Sequence, residues 1–551
     1  MSQHRHRASS QQVTRKRAVV AAAFAGTVAL GVGIGVWASV DGGGGNPEKG
    51  LHPASSGRAS GTGATGHSPG PKATPTRSYP LSRAPRTIPA VHSHTPARGP
   101  GWQPRRGERV VVSDLALADE GRLTAGELGL TYAGKKDDVR AGDVRLALGG
   151  GGNPESYSMT VRGGRVDISG PGDAGVFYGT RTLKQEVHGG GAAPEGVVRD
   201  EPAKAVRGFN LDIARKPYTE TWIEDRIREL GDLKFNELGL HFSDDQAFRI
   251  ESSSHPEIVA PDHLSKAQVK RIVDLAAARH ITVVPEIDSP GHLGAVLAAH
   301  PELQLRNAKG VATRGAIDIS KPASAQLVDD LLNEYAGLFT GGQWHLGGDE
   351  YQALAVPNPQ ASYPQLAAAA RKAYGPGGTV ADLATGWLND RAGTARVHSR
   401  TLRAWNDGFF RGTSVQPAKD LQAAYWTGKE RGARLPAEYL GEGRKVVNYN
   451  DEFLYYVLGQ PQTFVYPTGQ RIYEQWNPRV LRGTVAVPAR YDGQILGGFF
   501  AVWSDRPDAQ TQDQVAAGIR MPLRATVQKL WDPGAPPLSW ADFRRLADRL
   551  G

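Results

Sequence analysis

Cysteine is absent from the 551 residues. That excludes disulfides, thiolate zinc sites, a cysteine nucleophile and a lipidated-cysteine anchor. The body of the chain also lacks an excess of positive charge, although the whole chain is +9. Residues 1–108 hold 14 Lys and Arg against three acids (Asp41, Glu48 and Glu108), a net of +11, which leaves −2 for the rest. A nucleic-acid binder carries its positive charge on the folded domain. Here that charge sits in a tail, so no nucleic-acid partner is expected.

Residues 4–17 are basic, and Ala18 to Val40 follow without a charge. These 23 residues are long enough to span a bilayer. They also have the layout of a signal peptide, with Val36-Trp37-Ala38 as a small-residue cleavage signal. Residues 1–40 are therefore read as a signal peptide or membrane anchor, with the basic side cytoplasmic. Either form puts the body outside the cytoplasm, secreted or membrane-anchored. Membrane contact is expected only through this segment, if it stays uncleaved. Residues 41–107 are rich in Gly, Pro, Ser, Thr and Ala and poor in large apolar side chains. Such a stretch cannot offset its ordering entropy and reads as a disordered linker.

Residues 108–203 read as a small α+β domain. Tyr157 to Val161 and Arg165 to Ile168 alternate around Gly163-Gly164, a hairpin pattern. A helix pattern follows, with Phe177, Thr180, Leu183 and Val187 on one face. Residues 204–551 change rhythm to apolar strand and long amphipathic helix, repeated. Capping boxes are expected at Thr221/Glu224 and Ser265/Gln268. The eight strand candidates are 206–213, 237–242, 281–288, 343–350, 401–407, 421–426, 445–451 and 495–505. Eight strands alternating with helices point to an α/β fold, a (β/α)8 TIM barrel. A doubly wound sheet would normally have fewer strands.

The acids gather at the C-terminal ends of these strands. They are Asp212, Asp244 and Asp245, Glu286 and Asp288, Asp349 and Glu350, Asp407, Asp451 and Asp505. One acid after a strand is usually an N-cap. Seven such ends exceed what capping explains, and that end of a barrel is where active sites are built.

The segment HLGGDE is the sharpest. Two glycines permit a tight turn, and two carboxylates follow at the rim. Carboxylates among aromatics point to glycoside hydrolysis, where the usual pairs stand ~5–5.5 Å or ~6.5–9.5 Å apart. Sequence neighbours flank a sugar poorly. They suit another division, in which one acid protonates the leaving oxygen and the other steadies a nucleophile supplied by the substrate. Trp405, Trp426 and Trp503 lie beside strand ends and are candidates to pack on a sugar. Trp344 lies deeper in its strand and reads as core.

The segments RGFNLDIAR, HFSDDQAFRIE, PEIDSPGH, WHLGGDE, YND and WSD, in that order, resemble family-20 glycoside hydrolases, the β-N-acetylhexosaminidases. The resemblance covers about residues 108–551. It implies removal of terminal non-reducing β-linked N-acetylglucosamine or N-acetylgalactosamine, with retention and an oxazolinium intermediate. It implies an oligosaccharide or glycoconjugate as the partner and no cofactor. Asp349 would steady the acetamido group and Glu350 would be the general acid and then base. Glu350 would need a raised pKa while substrate is bound. His292 and Asp244 would hold Glu350, with Asp288 as polar support. Arg215, Asp451 and Asp505 would bind sugar hydroxyls. Trp405, Trp426 and Trp503 would wall the ring and acetamide, and Tyr449 would bond the acetamide oxygen.

Three positions depart from the family pattern. Lys216 stands where His is frequent, Asp505 where Glu is usual, and Phe248 where Trp is common. None touches the Asp349–Glu350 pair. The rival reading is a weakly active or non-catalytic carbohydrate-binding protein on the same scaffold, which would keep the tryptophans and lose the acid. A metal-dependent hydrolase would use His241, His292 and His345, but none of these three belongs to an H-x-H or H-E-x-x-H spacing. The natural linkage and the choice between the two amino sugars are not written in the sequence.

Overall fold

The structure, a computed structural model, describes residues 78–429 and 433–551. The expected leader at 1–40 and the first part of the linker lie outside the described residues. Among those described, no helix is long and apolar enough to cross a membrane.

The linker does not run to residue 107. Ser93–Pro96 forms an edge strand paired antiparallel with Gly196–Asp200. Ile88 and Trp102 are buried, and the Ile88 backbone N–H donates to Gln185 Oε1. Large apolar residues are sparse here, but the backbone completes a sheet edge, and Ile88 and Trp102 are buried. The small domain is a seven-stranded mixed sheet carrying the helices Ala118–Leu128 and Asp173–Gly190. The expected hairpin is Tyr157–Arg162 against Arg165–Gly170. Gly163 and Gly164 both have positive φ, 62° and 73°, as a two-residue turn between right-twisted strands requires.

Eight parallel strands then close a barrel: β1 (Val206–Asp212), β2 (Glu237–His241), β3 (Thr282–Glu286), β4 (Gln343–His345), β5 (Thr401–Trp405), β6 (Gln422–Tyr425), β7 (Val446–Asn448) and β8 (Ile495–Trp503). β8 pairs with both β7 and β1, which closes the ring. β1 and β2 are buried along their whole length. Polar residues interleaved with the apolar ones, among them Arg207, Asn210, Asp212, Glu237 and His241, are buried with them. A short strand, Tyr455–Val457, pairs with the upper half of β8 beyond β7.

The helix after β1, α1 (Glu220–Asp232), starts one residue before the expected Thr221 cap. Thr219 is the cap, and its hydroxyl accepts from the Trp222 N–H. Only Thr221 has a Glu three residues on, but Thr219 is the residue with the extended backbone of a cap, at φ −69° and ψ 149°. The box at Ser265/Gln268 forms as expected at the start of α2 (Lys266–Ala277). Trp344 is core, 1% exposed. Phe248 packs edge-on to Phe242 in the same core, so this departure never reaches the rim.

Candidate active site

The strand ends surround a cavity of about 360 Å³. Of the expected residues, Arg215, His292, Asp349, Glu350, Trp426, Asp451, Trp503 and Asp505 line it. Asp244 and Asp288 lie just beneath, each 1% exposed, as befits supports. Trp405 and Tyr449 do not line it. Both are 1% exposed, in contact 4.8 Å centroid to centroid, one layer below the floor. The Trp405 indole N–H instead donates to Glu286 Oε1 at 2.6 Å. Tyr455 takes a place in the wall, stacked on Trp426 with an interplanar angle of 3°.

After β4 the chain turns sharply at Gly347 and Gly348, φ 69° and 92°. A Cβ at Gly347 would lie 2.0 Å from Asp288 Oδ1, so only glycine fits. The Gly348 and Asp349 N–H groups both donate to that oxygen, at 2.8 and 3.3 Å. Glu350 follows in the left-handed region at φ 40°, and its N–H donates to Asp407 Oδ2 at 2.8 Å. His292, at φ 54°, and Gln462, at φ 53°, are the other cavity-lining non-glycine residues held there. Such conformations persist only where the surroundings fix them, and they cluster at functional sites.

A line of charge runs inward from Glu350. His292 Nε2 is 3.6 Å from Glu350 Oε2, and its Nδ1 is 3.2 Å from Asp244 Oδ1. Asp244 Oδ2 meets His241 Nε2 at 2.8 Å and Arg215 Nη2 at 2.6 Å. His241 Nδ1 is 3.0 Å from Glu286 Oε2. Arg215 is also held by Asp212 at 2.9 Å.

This network sets the ionisation of the pair. Burial disfavours the His292 imidazolium, but Asp244 beside it carries its pKa well above the ordinary value. His292, with its Nε2 3.6 Å away, holds Glu350 below the usual carboxyl range. Burial, then the charges of Asp407 and Glu350, push Asp349 well above it. Burial raises Asp288 to about 8. Adjacent carboxyls are thus driven apart, the mark of an acid–base site. The raised pKa expected for Glu350 is not found in the free protein, because 46% of its side chain is exposed and His292 stands opposite.

Four lining residues carry a buried polar atom with no hydrogen-bond partner: Asp349 Oδ1, His292 Nε2, Trp503 Nε1 and, facing Glu286, His241 Nδ1. Atoms of this kind need an explanation in a native fold, and a polar ligand in the cavity supplies one.

Asp407 was legible as a strand-end acid but not as part of the site. It accepts from the Glu350 N–H and, on its other oxygen, from the Trp426 indole at 3.1 Å. Lys429 was missed altogether. Its ammonium is 2.6 Å from Asp451 Oδ2. Lys216 turns away and donates to the Pro507 carbonyl. Asp505 stays at the cavity, its carboxyl raised by burial. Asp288, His292 and Asp349 place ligand-type atoms within 4.8 Å of one another. The two N–H donors on Asp288 and the Asp244 partner of His292 account for that grouping without an ion.

Acids at the mouth of a closed (β/α)8 barrel, walled by aromatics, are the make-up of a glycoside hydrolase. The family model "Glycosyl hydrolase family 20, catalytic domain" matches residues 205–520, and that for domain 2 of the family matches residues 84–201. The chain belongs to glycosyl hydrolase family 20. It is 28% identical over 476 residues to a lacto-N-biosidase of Bifidobacterium bifidum, covering 85% of this chain and 42% of that protein. It is 32% identical over 266 residues to a β-N-acetylhexosaminidase of Cellulomonas fimi, covering 44% of this chain and 53% of that one. The chain thus spans about half the length of these curated relatives. Among solved structures, a mutant Streptomyces plicatus β-hexosaminidase in complex with product GlcNAc superposes with a TM-score of 0.68 at 24% identity. That match covers 86% of this chain and 95% of the other, and it shows the shared fold.

Proposed function

We propose that the protein hydrolyses terminal β-linked N-acetylhexosamine from oligosaccharides or glycoconjugates, with the substrate's acetamide as nucleophile. The observation that carries this reading is the adjacency of Asp349 and Glu350 on one wall of the cavity. Two carboxyls on one wall do not serve as acid and nucleophile on opposite faces of a sugar.

In the first step the acetamido oxygen bonds to the anomeric carbon. The bond to the aglycone breaks, and the departing oxygen takes a proton from Glu350. The oxazolinium ring so formed is positive, and the Asp349 carboxylate beside it stabilises that charge. In the second step water attacks the anomeric carbon and gives its proton to Glu350. The ring opens, the acetamide is restored and the configuration is retained. The proton for the first step resides on the Glu350–His292 pair. A sugar over Glu350 removes water from the carboxylate, and that shifts the proton from His292 to Glu350. A second groove, lined by Tyr351, Asp407, Phe409, Phe410 and Tyr439, shares Glu350 with the cavity. It lies on the acid's side, where the leaving group departs.

A panel of aryl glycosides with and without the 2-acetamido group tests the reading. Turnover of the N-acetylhexosaminides and none of the glucoside is expected. An aryl lacto-N-bioside belongs in the panel, because one relative is a lacto-N-biosidase. No turnover of any member would leave only the carbohydrate-binding alternative.

Asp407 gives a pH prediction. Its charge is one cause of the raised pKa of Asp349, which acts as an anion. In Asp407→Asn that pKa falls, and the acid limb of kcat/KM moves to lower pH. A limb that stays in place would belong to another group.

We further propose that residues 1–40 serve export and not folding. Deleting them should leave a soluble, active enzyme inside the expressing cell, measured by activity in the clarified lysate. Loss of folding on this deletion would assign the apolar run to the core.

A further inference from the structure

Away from the sugar cavity, two histidines converge on one carboxylate. His255 and Glu257 lie in the insertion after β2, between the strands Phe248–Ile250 and Val259–Leu264. His300 caps the C-terminus of α3 (Gly294–Ala299), the helix that begins two residues after His292. Glu257 Oε1 is 3.0 Å from His255 Nδ1 and 2.8 Å from His300 Nε2. The three atoms lie within 4.8 Å of one another. The rings meet edge to face, 5.9 Å between centroids.

The far nitrogen of each ring also faces a carboxylate. Asp330 Oδ2 is 3.6 Å from His255 Nε2, and Glu302 Oε1 is 3.3 Å from His300 Nδ1. A neutral imidazole has one N–H. Two rings therefore bring two protons to four carboxylate contacts. His255 Nε2 is buried and has no hydrogen-bond partner. Hydrogen bonding alone does not satisfy the cluster while both rings are neutral, and it leaves three carboxylates with no cation among the five residues.

We propose that His255, His300 and Glu257 form a binding site for a divalent transition-metal ion of the zinc type. The ion takes the lone pairs of His255 Nδ1 and His300 Nε2 and one Glu257 oxygen. Both N–H groups then point outward to Asp330 and Glu302, the carboxylate–histidine–metal arrangement that fixes ring tautomer and orientation. Ligands at ~2.0–2.1 Å in a tetrahedron stand ~3.3 Å apart, so the observed 3.0 and 2.8 Å need only small side-chain rotations. Imidazole donors favour zinc and its neighbours over magnesium and calcium, which take oxygen ligands. Three protein ligands leave a fourth position for water. The Glu257 side chain is 42% exposed, which gives the ion a path in. The bound ion would clip the insertion after β2 to the end of α3. Its role is structural, because none of these residues lines the sugar cavity.

The test uses the full chain without an affinity tag, stripped of metal and then dialysed against Zn2+. Bound zinc per chain and the melting temperature with and without Zn2+ are compared with those of His300→Ala and Glu257→Gln. The wild type should hold one more zinc equivalent than either variant and melt higher with Zn2+. Mg2+ should give no such rise. Glu302→Gln keeps all three ligands and should bind zinc 10- to 100-fold more weakly, the scale for loss of an outer carboxylate partner. Because the comparison counts a difference, histidines elsewhere in the chain do not affect it. Equal zinc content and equal melting shifts in the wild type and in Glu257→Gln, which preserves the side-chain shape, would overturn the proposal.

Discussion

In Glu350→Gln, kcat on a glycoside with a poor leaving group should fall by ~10²–10⁴, the usual worth of a positioned general acid–base. The amide keeps the shape of the side chain. The backbone N–H that bonds Asp407 is untouched, so the left-handed conformation at φ 40° should survive. The loss should therefore appear in kcat, with the melting temperature unchanged. It should shrink with good leaving groups, which depart with little help from a proton. Because His292 stands 3.6 Å behind the carboxylate, the variant also removes the partner that shares its proton. Near-wild-type turnover of the poor leaving group would take the acid role away from Glu350.

The barrel was legible in the sequence because each strand is an apolar run ended by an acid, and each helix is amphipathic between two such runs. The order of motifs then carried most of the rim. What stayed hidden depends on contacts between distant segments. Asp407 has the spacing of an ordinary cap, and only the fold brings its carboxylate to the N–H of Glu350 and the indole of Trp426. A place beside a strand end for Trp405, and a family motif for Tyr449, do not give their depth, and both lie beneath the floor. Tyr455 reaches the wall because Tyr455–Val457 pairs with β8, an addition that no period in the sequence announces. The edge strand Ser93–Pro96 sits in a stretch whose average composition is that of a linker. Backbone pairing orders it, and backbone leaves no trace in composition. The ion-pair line through His241 and Glu286 joins two neighbouring strands, β2 and β3, whose register places the two residues side by side.

Asp349→Asn separates the substrate-assisted reading from a two-carboxylate one. Asp349 is crowded by Asp407 and Glu350, and its Oδ1 is buried without a partner. Such a carboxylate gains most when a positive charge forms next to it. In the Asn variant kcat should fall on the order of 10²–10³-fold, the scale for removing one preorganised electrostatic partner. A thiazoline mimic of the cyclised intermediate should inhibit the wild type and bind the variant much more weakly, since transition-state-like ligands lose what the transition state loses. Glucosides lacking the acetamide should be nearly inert on both proteins, because the cavity supplies no nucleophile of its own in this mechanism. Two results would contradict it: a covalent sugar trapped on Asp349 or Glu350 with a fluorinated glycoside, or equal turnover of glucoside and N-acetylglucosaminide. The nucleophile would then have to be a carboxylate elsewhere on the rim, and Asp451 and Asp505 both line the cavity. Asp451 is engaged by the Lys429 ammonium at 2.6 Å, whereas Asp505 is held only at a distance by Arg215, so Asp505 would be the first to replace.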